Sequence, residues 1–324
     1  MARKLKWNKQ NKFDEYLYGS PGWGRRLITA AVTWWIPSKG HRRVMRAIMH
    51  MGPITYGRVR QNEKNQQFPH TLAIVAVMKD EGPYLKEWLD FHILAGVDKF
   101  YLYDNGSTDN TMQILEPYIR RGIVDLTPWP YRGRQNDVYV DTFIRHRNDV
   151  RWMARLDLDE FIVPVEYDTI PAFLETLPKN FAQLILTWVC YGSAGHKTRP
   201  NGMVMENYKY HECTFHGIKS IVNPRLVVRQ SNPHQAQVAG PTIDENGKRM
   251  GRVNQTNNPP SCEKIRCNHY VTKSLAEFRA RCRKGSVAGG IQYIREKEKR
   301  FTELDTNDIY DPVMDRWIDK LKKK

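Results

Sequence analysis

Long apolar runs are missing from this chain. The longest, Leu27 to Pro37, falls well short of the ~20 residues that cross a bilayer, so no spanning helix is expected. No signal peptide is expected either: Met1 to Lys12 is basic and no apolar core follows promptly. Cysteine is scarce. Five residues, an odd number spread over 324 positions, do not build a disulfide framework and suit a reducing compartment. Cys262, Cys267 and His269 lie close together, but the knuckle is loose and a matching second pair is lacking, which argues against zinc. Two nucleotide signatures are absent. Met78-Lys79-Asp80-Glu81-Gly82 lacks the G-x-G-x-x-G spacing, which argues against NAD and FAD, and there is no Walker A sequence. Acidic residues are in deficit, with 35 Asp and Glu against 51 Lys and Arg, a net charge of +16. Much of the excess sits at the two ends, which suits an anionic membrane surface or a polyanionic acceptor. Nucleic acid is disfavoured, because no helix-turn-helix, zinc-finger or RNP-like motif accompanies the charge.

What is present is a regular alternation. Residues 1–67 read as a basic, aromatic leader. Its Trp34-Trp35 run, flanked by arginines, suits either a membrane interface or a helix packed on the next domain. From Phe68 the pattern becomes β-α-β-α-β. Leu72–Val77 is a continuous apolar run, as in a buried parallel strand. Gly82-Pro83 opens a helix whose Leu85, Trp88, Leu89 and His92 recur at helical spacing until Gly96. Phe100–Tyr103 is a second strand. Asp104–Asp109 is a turn, with Thr108 or Asp109 capping a helix through Met112, Leu115, Tyr118 and Ile119. Ile123–Leu126 is a third strand. Right-handed crossovers make this a doubly wound, Rossmann-like half. A helix near Val138–Arg147, a strand ending at Asp157 and a strand at Phe181–Val189 follow. Beyond Cys190 the chain is Gly-, Pro-, Asn- and His-rich, with short strands at best. The expected division is a leader (1–67), a catalytic α/β domain (68–285) and a helical, basic tail (286–324).

Ligands of open α/β sheets bind beyond the carboxyl ends of the strands. Acidic residues follow three of them: Asp80-Glu81, Asp104 and Asp157-Leu158-Asp159. Asp157 and Asp159 are two apart, so on an extended chain they point the same way and repel unless a cation lies between them. Hard cations such as Mg²⁺ or Mn²⁺ take carboxylate oxygens and substrate phosphates. The set describes a metal–nucleoside diphosphate site.

Three segments carry a resemblance: 79–88 (Lys-Asp-Glu-Gly-Pro-Tyr-Leu-Lys-Glu-Trp), 97–109 around Tyr103-Asp104-Asn105-Gly106-Ser107, and Leu156-Asp157-Leu158-Asp159-Glu160-Phe161. They resemble glycosyltransferase family 92 and the broader family 2, with Lys219–Pro224 and His269–Ser274 similar to later motifs. Lys79-Asp80-Glu81 stands where that pattern has Arg-Asn-Glu. The resemblance implies a GT-A fold: a mixed, mostly parallel sheet flanked by helices, with an irregular acceptor-side region. It implies an inverting transfer from a UDP-sugar with Mn²⁺ or Mg²⁺. Asp157 and Asp159 would hold the metal, Asp159 more firmly, with His269 completing the site and His234 its rival. Glu81 and Asp104 would face the uridine. Asp157 would also contact the donor, and Lys219, with Arg225, would neutralise the diphosphate. The catalytic base would be Glu206, Glu160 or Glu212. A chain without a span, with reduced cysteines, reads as a bacterial enzyme on the cytoplasmic face of the inner membrane. Its acceptor would be a cell-surface glycan or glycolipid such as lipopolysaccharide or capsule. A nucleotidyltransferase releasing pyrophosphate and a non-enzymatic polyanion-binding protein are the alternatives.

Overall fold

Both faces of the first strand are apolar, and both are covered. β1 (His70–Met78) sends Leu72, Ile74, Ala76 and Met78 into one core layer and Ala73, Val75 and Val77 into the other. That two-sided burial is what a continuous apolar strand requires. The computed structural model describes residues 23–131, 134–230, 232–250, 260–284 and 300–323. The start of the basic leader and the expected boundary at 285 lie outside the described residues.

The helices α1 (Trp23–Thr33), α2 (Lys39–Met51) and α3 (Pro53–Asn65) precede β1. Ala47 and Met51 of α2 enter the second core layer, so this part of the leader packs against the sheet. After β1 come α4 (Gly82–Leu94), β2 (Lys99–Asp104), α5 (Thr111–Arg120) and β3 (Val124–Pro128). This is the β-α-β-α-β half, with each boundary within a few residues of expectation. The cap differs: Asn110 precedes α5, and Asp109 ties two helix starts together, accepting from Thr111 N at 3.0 Å and Gly82 N at 2.9 Å. α4 buries the expected Leu85, Trp88, Leu89 and His92, and Gly96 follows it at φ 93°, the left-handed region that favours glycine.

The second half is less regular. It contains α6 (Gln135–His146), β4 (Val150–Arg155), β5 (Glu160–Pro164), α7 (Ile170–Thr176), β6 (Gln183–Cys190), β7 (Ile218–Val222), β8 (Thr242–Ile243), β9 (Ile265–His269), α8 (Leu275–Lys284) and α9 (Asp315–Lys322). The nine-stranded sheet runs β3-β2-β1-β4-β7-β6-β9-β5, with β8 beside β6. β3, β2, β1 and β4 are mutually parallel, whereas β7 is antiparallel to both β4 and β6 and β5 is antiparallel to β9. This is the mixed, mostly parallel α/β architecture that the resemblance implied. Two pairings position the site. β7 enters between β4 and β6 and carries Lys219 to the end of β4. The β5–β9 register sets His269 opposite Glu160, directly after Asp159.

Candidate active site

β4 ends at Arg155, and the chain turns through Asp157-Leu158-Asp159 before β5 begins. A cavity of about 280 Å³ opens here. Its walls come from the end of β1 and the start of α4 (Asp80, Glu81, Tyr84), from Asp157 and Asp159, and from the segment after β9 (Lys273, Glu277, Arg281). Five carboxylates therefore line it against two cations.

Each acid has distinct surroundings. Asp157 accepts from Gln135 Nε2 at 2.8 Å and from Lys219 Nζ at 3.2 Å. Burial is the largest influence and works to raise its carboxyl, but Lys219 and His269 together leave the net shift downward. Asp159 is almost fully buried, and burial again pushes upward. Arg281 and His269 override this and hold it well below the usual carboxylate range. Its Oδ2 lies 2.7 Å from Arg281 Nη1 and 3.6 Å from His269 Nε2, yet no aligned hydrogen bond reaches it. His269 is shifted downward by burial despite Asp159, which favours the neutral imidazole that ligates metals. Its ring packs on Trp188 at 4.6 Å, and His234 packs on the same indole at 4.9 Å. Gly217 makes room for that indole, since a β-carbon there would lie 1.8 Å from Trp188 Cε3.

Several expected residues stand elsewhere. Lys219 is fully buried beneath the cavity, 2.9 Å from Glu160 and 3.2 Å from Asp157, so it braces the carboxylate turn from below and does not reach a ligand's phosphates. Burial opposes its charge, but the two acids lift its pKa well above the ordinary value. Glu160 is equally buried; its Oε2 accepts from Asp157 N at 3.0 Å. Enclosure behind the turn removes it from contact with an acceptor. Arg225 is a structural clamp, paired with Glu63 at 3.1 Å and donating to the carbonyls of Arg147, Val150 and Arg151. Asp104 does not line the cavity; its carboxylate accepts from Gly106 N, Ser107 N and Ser107 Oγ and closes its own turn. Glu206 sits in the single helical turn Val204–Asn207, 2.5 Å from Lys322, away from the cavity lining. His234 receives no role in the lining, and burial lowers it to about 4. Glu212 is half-buried, raised by desolvation, and keeps a buried Oε1 without a hydrogen bond. Its N–H donates to Cys190 O at 3.0 Å, and Cys190 Sγ lies 3.9 Å from His269 Nδ1.

Residues 77–277, more than half of the chain, match the glycosyltransferase family 92 domain. The chain belongs to glycosyltransferase family 92. A family 92 protein of Ricinus communis is 28% identical over 163 residues, 49% of this chain and 30% of that protein. A galactan beta-1,4-galactosyltransferase of Arabidopsis thaliana is 27% identical over 128 residues, 34% of this chain and 25% of that protein. The matched stretch is thus less than a third of these relatives' own length. Among solved structures, S. aureus TarS (residues 1–349) aligns with 72% of this chain and 70% of its own at 11% identity and TM-score 0.37.

In this family 92 chain, sequence reasoning missed Tyr84, Lys273, Glu277 and Arg281. Lys273 adopts φ 50° and lies 4.4 Å over the Tyr84 ring. Glu277 accepts from Tyr84 and Tyr208 hydroxyls, each at 2.7 Å, which fastens α8 across the cavity. The signal was adjacency: Tyr84 lies within the 79–88 segment, Lys273 within the His269–Ser274 motif, and Glu277 and Arg281 on the helix that follows it. Among the described residues no three His, Cys, Asp or Glu side chains already form a metal cage. The donor set fits a divalent cation in another way. Asp157 and Asp159 both line the cavity, and Mg²⁺-type sites use one or two carboxylates with substrate phosphates supplying the rest.

Proposed function

We propose that this chain is a glycosyltransferase that uses a UDP-sugar with Mn²⁺ or Mg²⁺ and transfers the sugar, with inversion, to a glycan or glycolipid acceptor. One observation carries the reading: a cavity beyond the β1 and β4 strand ends is lined by five carboxylates and two cations, among them the buried Asp159 with Arg281 beside it. An anionic diphosphate is repelled by such a lining unless a divalent cation comes with it. Asp157 and Asp159 are the residues that would hold the cation, which supplies neutralisation of the charge developing on the leaving diphosphate.

The chain's own residues do the rest. Arg281, already 2.7 Å from Asp159, and Lys273, at the cavity wall, face the phosphates. Lys219 fixes the carboxylate turn from beneath. Tyr84, tied to Glu277, offers a ring at the β1 end for the base, beside Glu81. Glu212, which does not itself line the cavity but is joined to its edge through Cys190 and His269, takes the base role. Desolvation raises its affinity for a proton, and Cys190 lies between it and His269. Glu160 is sealed in and Glu206 is bound to Lys322.

Product analysis tests the proposal. With a UDP-sugar, Mn²⁺ and an acceptor, UDP is released, and Glu212→Gln lowers kcat roughly 10²-fold or more with little change in donor KM. Release of pyrophosphate in place of UDP identifies the nucleotidyltransferase alternative and removes this reading.

A further inference from the structure

Helix α1 is inside out for a protein surrounded by water. It packs on α2 through its threonines: Thr29 and Thr33 are buried, Thr33 Oγ1 donates to Thr29 O at 2.6 Å and accepts from Arg46 Nε at 2.8 Å, and Thr29 Oγ1 lies 3.3 Å from His50 Nε2. Its apolar residues point outward. Trp23 is 80% exposed, and Leu27, Ile28 and Val32 are each more than half exposed. The turn that follows adds Trp34 at 72% and Trp35 at 67%. A water-facing surface helix has the opposite polarity. Six large apolar side chains on one short segment form a contiguous patch of the kind that marks an interaction site.

Charge selects what covers it. No Asp or Glu occurs between Glu15 and Glu63, while Arg25, Arg26, Lys39, Arg42, Arg43, Arg46, Arg58 and Arg60 fall within that stretch. A second copy of the chain would bring the same positive charge to the contact, and like charges across an interface are costly. An anionic bilayer surface attracts such a segment through each Lys or Arg near it. Two adjacent indoles, each with an apolar body and an N–H, suit the depth where hydrocarbon meets headgroups. Among the described residues no helix is long and apolar enough to cross a membrane. α1 spans 11 residues, about 16 Å at 1.5 Å per residue.

We infer that α1 and Trp34-Trp35 form a monotopic anchor that lies in the headgroup plane of an anionic phospholipid membrane and holds the α/β domain against it. This binding is independent of the transferase reading, since none of its residues lines the cavity.

The test is vesicle co-sedimentation of the full chain with phosphatidylcholine vesicles, with and without phosphatidylglycerol, read together with tryptophan emission. The expected result is binding to the anionic vesicles with a blue shift, weakened by salt. Trp34→Ala/Trp35→Ala weakens it roughly ten-fold or more while the melting temperature stays put, because both indoles are exposed. Equal binding to neutral vesicles, or no binding to either, overturns the inference. So does a wild-type dimer in light scattering that the double variant abolishes while vesicle binding is unchanged, since the patch is then a contact between copies.

Discussion

Asp159→Ala abolishes sugar transfer and leaves the protein folded. The expected loss in kcat/KM is about 10³-fold or more, on the order of 4 kcal/mol of transition-state stabilisation. Asp159 is buried, and Arg281 at 2.7 Å holds its carboxyl ionised. Of the five acids that line the cavity, Asp159 is the buried one and the other four are half-buried. Folding survives because the partner left behind, Arg281, is 41% exposed and can turn to solvent while still donating to Val271 O. Steady-state kinetics with circular dichroism of the same sample checks both halves. Wild-type turnover in Asp159→Ala removes the carboxylate from the mechanism.

Lys219→Met has the opposite profile: a large loss of stability that precedes any loss of chemistry. Two carboxylates face this one buried ammonium. Removing one partner of a buried ion pair costs about 3–5 kcal/mol, because the remaining charge stays buried without compensation. Lys219→Met/Glu160→Gln recovers part of that loss, since the fully buried acid left without its lysine is replaced by a neutral amide. Urea unfolding of both variants measures it. If Lys219 contacted the donor, the single variant would keep its stability and lose only donor affinity.

These two residues also mark where sequence reading succeeds and where it stops. Strand-end acids were legible because β1, β2 and β4 are parallel and contiguous, so local periodicity alone places Glu81, Asp157 and Asp159 on one edge. Lys219 was misplaced because its position depends on β7 entering antiparallel between β4 and β6, a pairing that no local pattern encodes. Beyond Cys190 only short strands at best were expected, and none was placed at Ile218–Val222. Asp104 looked equivalent to the other strand-end acids, and its loop consumes it through Ser107. His269 arrived beside Asp159 through the β5–β9 register, which joins residues more than a hundred positions apart. Arg281 and Lys273 come from the same distant segment. α1 is the reverse case: its composition was plain, but that its threonines face inward required the helix pair itself.

Calorimetric titration of UDP in Mn²⁺ and in EDTA, on the wild type and on Asp159→Ala, tests the central claim most directly. The account predicts saturable binding of UDP to the wild type with Mn²⁺, and loss of that binding both in EDTA and in Asp159→Ala. Equal binding in EDTA, or undiminished binding to Asp159→Ala, would contradict it.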